Sequence, residues 1–104
     1  MQGDVKQGHQ VKANGAYLEI RPLDNGSVWR VRGIYFTQAG VADDIQVVRT
    51  DTTNEIVLES SVPDCTGFVG MTWFVSYAFP IRIKNRSGVN QTLGYDAIEI
   101  IAGA

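Results

Sequence analysis

The sequence carries one histidine, His9, and one cysteine, Cys65, the two residue types best suited to nucleophilic or metal chemistry. A hydrolase needs a nucleophile with a base in hydrogen-bond reach, and the usual base is histidine. His9 sits in a polar N-terminal stretch. Cys65 lies in Val62-Pro63-Asp64-Cys65-Thr66-Gly67, without a second cysteine at CxxC spacing and without a core histidine to lower its pKa, so it reads as an ordinary thiol. A single cysteine excludes an internal disulfide framework, and one His with one Cys gives no ordinary zinc ligand set.

Carboxylates are the other candidates. Two sequence-distant acids can meet in a fold and act as general acid and base, but no spacing here marks such a pair. Asp43-Asp44 lacks the alternating oxygen ligands and final Glu of an EF-hand loop and reads as a solvated acidic turn. The phosphate-cradling pattern GxxxxGK[ST] does not occur. Arg30 and Arg32, with Arg49, Arg82 and Lys84 on other strands, could form a basic stripe; interleaved Glu55 and Glu59 point to the simpler role of cross-strand ion pairs. Trp29 and Trp73 could stack on sugar rings, yet each shares its alternating face with Val, Tyr or Met, which favours the core. The expectation is no catalytic, cofactor-binding or metal-ligating residue, and no cofactor.

Composition agrees with a non-catalytic domain. The 104 residues fit one domain, 44% hydrophobic and 10% aromatic content suffices for a core, and 19% charged residues is too few for a typical disordered tail. A net charge of -2 argues against a nucleic-acid partner, whose binding scales with clustered Lys and Arg. The first residues lack the apolar core of a secretory signal, and the longest apolar runs fall well short of the ~20 residues that span a bilayer. A cytoplasmic, soluble product with no membrane partner is expected. Asn85-Arg86-Ser87 and Asn90-Gln91-Thr92 match the N-glycosylation pattern but read as turn residues.

The elements that would position these residues are strands. Residues 1–14, with only Val5 and Val11 as large aliphatics, read as a flexible arm, and 15–104 as the folded domain. Ala16 to Ile20 is a short strand ended by Pro22 and by Asn25-Gly26, a pair suited to the positive φ of a tight hairpin. Val28 to Phe36 places Trp29, Val31 and Tyr35 on one face and Arg30 and Arg32 on the other. Beyond Gly33 the second face turns apolar at Ile34 and Phe36, which signals either a bulge at the glycine or a surface covered by another subunit. After a loop at 37–44, strands at 45–50 and 55–60 flank Asp51-Thr52-Thr53-Asn54 as the clearest hairpin, with Ile56 and Leu58 toward the core.

Residues 68–79 alternate with a period of two and are rich in β-branched and aromatic types, so they read as a strand rather than a helix. One face carries Trp73, Val75, Tyr77 and Phe79; the other carries Phe74. Strands at 81–84 and 91–101 complete about seven or eight at the even spacing of a single antiparallel β-sandwich of jelly-roll type.

Five stretches in order, Glu19-Ile20-Arg21-Pro22, Trp29-Arg30-Val31-Arg32-Gly33-Ile34-Tyr35, Thr53-Asn54-Glu55-Ile56, Ile81-Arg82-Ile83-Lys84-Asn85 and Gly94-Tyr95-Asp96, resemble short virion proteins of tailed bacteriophages. The resemblance implies a small jelly-roll sandwich carried on the particle, as a head decoration or cement protein bound to the major capsid protein or another virion protein. It carries over no catalytic residue. It further suggests a homo-oligomer, with a trimer as the first expectation, and an interface drawn from Val5, Val11, Ile34, Phe36 and Phe74. A tail, fibre or head-to-tail component and a glycan-binding module are the alternatives.

Overall fold

A computed structural model describes residues 2–37, 40, 44–50, 55–60 and 67–103, with the backbone alone for 59, 60 and 67–72. Eight strands make up the chain: β1 (Val5–Lys12), β2 (Tyr17–Ile20), β3 (Val28–Phe36), β4 (Ile45–Thr50), β5 (Glu55–Ser60), β6 (Gly67–Ser76), β7 (Ile81–Asn85) and β8 (Gln91–Ile101). They form two four-stranded antiparallel sheets, ordered β1-β8-β3-β6 and β2-β7-β4-β5. This is the expected all-β sandwich.

The order follows from one long hairpin that has been rolled up. Thr50 pairs with Glu55, Val28 with Ser76, Tyr17 with Lys84 and Val5 with Ile98, so the first four strands run back to back with the last four. Rolling this ribbon brings β3 against β8 and β4 against β7 and closes each sheet. The result is the winding of a jelly roll.

The core lies between the sheets. Period-two alternation puts Leu18 and Ile20 of β2, Ile81 and Ile83 of β7, and Ile45 and Val47 of β4 against Trp29, Val31, Val75, Leu93 and Ala97 of the other sheet. Ile34 and Phe36 belong to this core, 2% and 4% exposed. The register of β3 slips between Val31 and Gly33 against both neighbours, so one extra residue moves the inward side from odd to even positions. Of the two readings of this stretch, the bulge is the one observed, and Ile34 and Phe36 are corrected from interface to core.

The N-terminal segment also departs from expectation. Residues 5–12, read as a flexible arm, form strand β1 along β8, from Val5 opposite Ile98 to Lys12 opposite Gln91. Apolar content did not signal it because the strand is held by its backbone ladder at a sheet edge, where few of its side chains need burial. Two further bonds, Gly3 N to Glu99 O (2.6 Å) and Glu99 N to Asp4 O (2.9 Å), extend that attachment. The Asn25-Gly26 turn does use a positive φ, 92° at Gly26, but it joins β2 to β3 in the opposite sheet and is therefore a crossing between sheets rather than a hairpin.

Turn chemistry of a different kind sits at Asn85, which is fully buried. Its side-chain amide donates to Lys12 O (2.8 Å) and Val89 O (2.7 Å), and its carbonyl oxygen accepts from Ser87 N (3.0 Å) and faces Ser87 Oγ at 2.7 Å. Its backbone holds Gly15 and Ala16 ahead of β2. The expected turn role of this asparagine is thus observed, and one side chain ties the end of β1 to the β7–β8 connection.

Candidate functional site

The outer face of the sheet β1-β8-β3-β6 is the first surface that side chains make available. The register sets Val5, Ile98, Arg30 and Phe74 in one row across all four strands. Val5 is 55% and Phe74 52% exposed, so apolar side chains stand in water on a face where alternation ordinarily places polar ones. The next row is polar, and its charges are paired. Arg32 Nη2 lies 3.0 and 2.9 Å from the two carboxylate oxygens of Asp96, and Gln7 Nε2 donates to the same carboxylate at 3.0 Å. The Arg32 hydrogen bond holds the Asp96 carboxyl below its ordinary pKa.

Further along, the Tyr35 ring covers Gly94, where a Cβ would meet ring atoms at 2.1 Å. His9 stands opposite Gly94 and is exposed. Val11, opposite Thr92, is exposed at the far end. Three of the five expected interface residues, Val5, Val11 and Phe74, therefore share one outer face, while Ile34 and Phe36 are inside.

The two tryptophans belong to the interior, as their alternation indicates. Trp29 is buried, its ring stacked 6.5 Å from Tyr95 and capped by Lys6 at 5.8 Å; Trp73 is half-buried and packs on the core. Burial pushes the Tyr95 phenol above its usual pKa, with Tyr35 adding to the shift. Glu99 is buried beside Lys6, 3.5 Å away.

The basic residues divide between the two sheets, Arg30 and Arg32 in one and Arg49, Arg82 and Lys84 in the other, so they make no continuous stripe. Cross-strand pairing accounts for several of them: Lys84 meets Glu55 at 2.8 Å and Arg82 meets Glu19 at 3.1 Å. The Glu59 side chain, Asp43 and Cys65 lie outside the described residues. Asp44 corrects the reading of a solvated turn. It is buried, its carboxylate accepts from Gly40 N at 2.8 Å, and its carbonyl accepts from Arg86 N at 2.7 Å, so it closes the loop before β4. Among the described residues, no cluster of three His, Cys, Asp or Glu is placed to hold a metal ion.

A second surface went unread in the sequence. At the end of the sheet β2-β7-β4-β5, the residue after β2, strands β4, β5 and β7 and the β6–β7 corner enclose a cleft of about 470 Å³, lined by Arg21, Arg49 and Arg82 with Ile56, Phe79 and Pro80 among the apolar residues. Strand β6 ends at Ser76, and reciprocal bonds between Ser76 and Phe79 turn the chain, which takes Tyr77 and Phe79 out of the core face expected for them and exposes both. Ile56 keeps the inward face expected for it, in the row of Ile81 and Arg49, but is exposed because it sits on edge strand β5 beyond the end of the core. Only the register row Ile81, Arg49, Ile56 brings these residues together, and no local spacing reveals it.

No protein-family model matches the sequence, and a search of curated proteins finds no match.

Proposed function

We propose that this chain is a structural virion protein of a tailed bacteriophage, a decoration or cement protein that stabilises the head by bridging capsid subunits. The observation that carries the reading is the outer face of the first sheet, with Val5, Ile98, Arg30 and Phe74 in one row and Val11 beyond. Four strands at ~4.8 Å spacing and about ten residues at ~3.3 Å give this face roughly 600 Å², close to the ~800 Å² that each partner contributes to a standard interface. Aromatic and arginine side chains are the types that anchor such contacts. The order of strand-plus-turn motifs shared with short phage virion proteins points the same way.

In this role no bond is made or broken. Binding only to the assembled shell adds its free energy to the stability of the shell, and a homotrimer multiplies each weak contact through effective concentration. The major capsid protein is the proposed partner. The test is the copy number of the chain relative to that protein in purified particles, by quantitative mass spectrometry. Near-stoichiometric abundance is expected. A handful of copies would move the chain to the tail or the head-to-tail joint, and absence from particles would end the virion reading.

A further inference from the structure

We propose that the arginine-lined cleft at the end of the sheet β2-β7-β4-β5 is a docking site for an acidic peptide segment of a partner protein, one that carries an apolar side chain between its carboxylates. The charge of the cleft supports this first. Glu19 is shared between Arg21 Nε (3.0 Å) and Arg82 Nε (3.1 Å), so one carboxylate answers two guanidinium groups. Arg49 donates to a neutral acceptor, the carbonyl of Phe74, and its Nε is buried without a partner. Among the described residues, three cations against one carboxylate leave the site positive, with guanidinium forks suited to carboxylate oxygens.

The arginines are also held in place before any ligand arrives. Arg21 lies over the Tyr77 ring at 5.2 Å and Arg82 over Tyr17 at 4.4 Å, so their planes are already oriented. Preset side chains lose less freedom on binding.

The apolar part of the cleft selects the peptide over a bare anion. Phe79 is 63% and Ile56 51% exposed on its walls. An inorganic anion would leave both in water, whereas a segment with carboxylates flanking a leucine or phenylalanine covers them and meets the guanidinium groups together. The chemistry of the cleft is the same whether or not the chain is carried on a virus particle.

The probe is a fluorescein-labelled hexapeptide, acetyl-EEFLEE-amide, titrated with the full chain and followed by fluorescence anisotropy. Saturable binding is expected, weakened by raising NaCl from 50 to about 300 mM because the contacts are charge-based. The glutamine analogue, acetyl-QQFLQQ-amide, and the glycine analogue, acetyl-EEGGEE-amide, should each bind roughly tenfold more weakly, the loss that ~1.4 kcal/mol of contact represents. Phe79→Ser and Arg21→Gln should each weaken binding by about the same factor. Phe79 is largely solvent-exposed, so its variant keeps the fold, and Ile56→Ser is the second such variant; circular dichroism melting confirms it. Amide shifts on peptide addition should map to Ile56, Phe79 and Arg82. Equal affinity for the glutamine peptide, unchanged affinity in both apolar variants, or no saturable binding of the acetyl-EEFLEE-amide peptide would overturn the proposal.

Discussion

Replacing Asn85 by Ala removes a buried side chain that joins the end of the first strand to the β7–β8 connection. Four contacts go with it: two donated bonds, to Lys12 O and Val89 O, and two accepted ones, from Ser87 N and Ser87 Oγ. A net ~0.5–1.5 kcal/mol for each bond would give ~2–6 kcal/mol in all. Ser87 and Val89 lie near solvent and regain water, which lowers the sum, whereas the full burial of the lost amide keeps it from vanishing, so about 2–4 kcal/mol remains. For a domain of this size the melting temperature should fall by roughly 10–20 °C.

Asn85→Asp separates hydrogen bonding from shape. Its carboxylate keeps the acceptor for Ser87 but turns an oxygen toward the carbonyls of Lys12 and Val89, where a donor is needed. Burial against those carbonyls raises the folded-state pKa above the unfolded ~3.9. The variant is therefore most stable below pH ~4 and loses stability as pH rises through the folded pKa, relative to the parent chain. Scanning calorimetry of both variants from pH 3 to 8 is the assay. A melting temperature within ~3 °C of the parent for the alanine variant, or a flat pH difference for the aspartate one, would refute the role given to this residue.

Other outcomes follow from the two sheets. Gly94→Ala should cost about 1–3 kcal/mol, because its Cβ would overlap the Tyr35 ring, and should cost little in a Tyr35→Ala background, which denaturant titration of the double-mutant cycle measures. Arg32→Gln should raise the pKa of Asp96, read by carboxyl-carbon NMR titration. Since that pKa is depressed in the folded chain, the stabilisation from the pair is present above the unfolded pKa and lost as pH falls through the folded one, so the variant should lose stability near neutral pH and show a shallower acid limb. Phe74→Asp should leave the melting temperature within ~2 °C yet abolish association with particles in co-sedimentation, whereas Ile34→Asp should prevent folding, because one residue is half in water and the other buries a charge. Sugars should leave the fluorescence of buried Trp29 unchanged.

Strands were legible where side chains alternate and one face is buried. The 45–60 hairpin and the inward Trp29 could be read from local period alone, whereas at Gly33 the period left a bulge and a covered surface both open, and only the slipped ladder puts Ile34 and Phe36 in the core. Strand β1 could not, since Val5-Lys6-Gln7-Gly8-His9-Gln10-Val11-Lys12 contributes a backbone edge and little apolar burial, and hydrogen bonds of that kind leave no mark in composition. Asp44 was misread for a related reason: its burial depends on Gly40 and Arg86 meeting it in space. The arginine cleft gathers residues from three strands, a corner and the residue after β2, so sequence distance hides it. Phe74 was placed on the correct side of its strand by parity, but Tyr77 and Phe79 lie past the strand end, where parity no longer applies.

The rolled hairpin has a consequence for how the chain is made. Each described strand pairing, β1 with β8, β2 with β7, β3 with β6 and β8, β4 with β5 and β7, joins the first half of the chain to the second. Among the described residues, neither half contains a ladder of its own. A ribosome that has released only residues 1–50 has released four strands with no partner, and their unpaired edges stay open until β5 emerges and zipping proceeds outward to β1 and β8. Folding of the sandwich then waits for β8 and is all-or-none. By the same logic, a chain divided between β4 and β5 would give two fragments that are each unfolded alone and that recover the sandwich only when mixed, each serving as the template for the other.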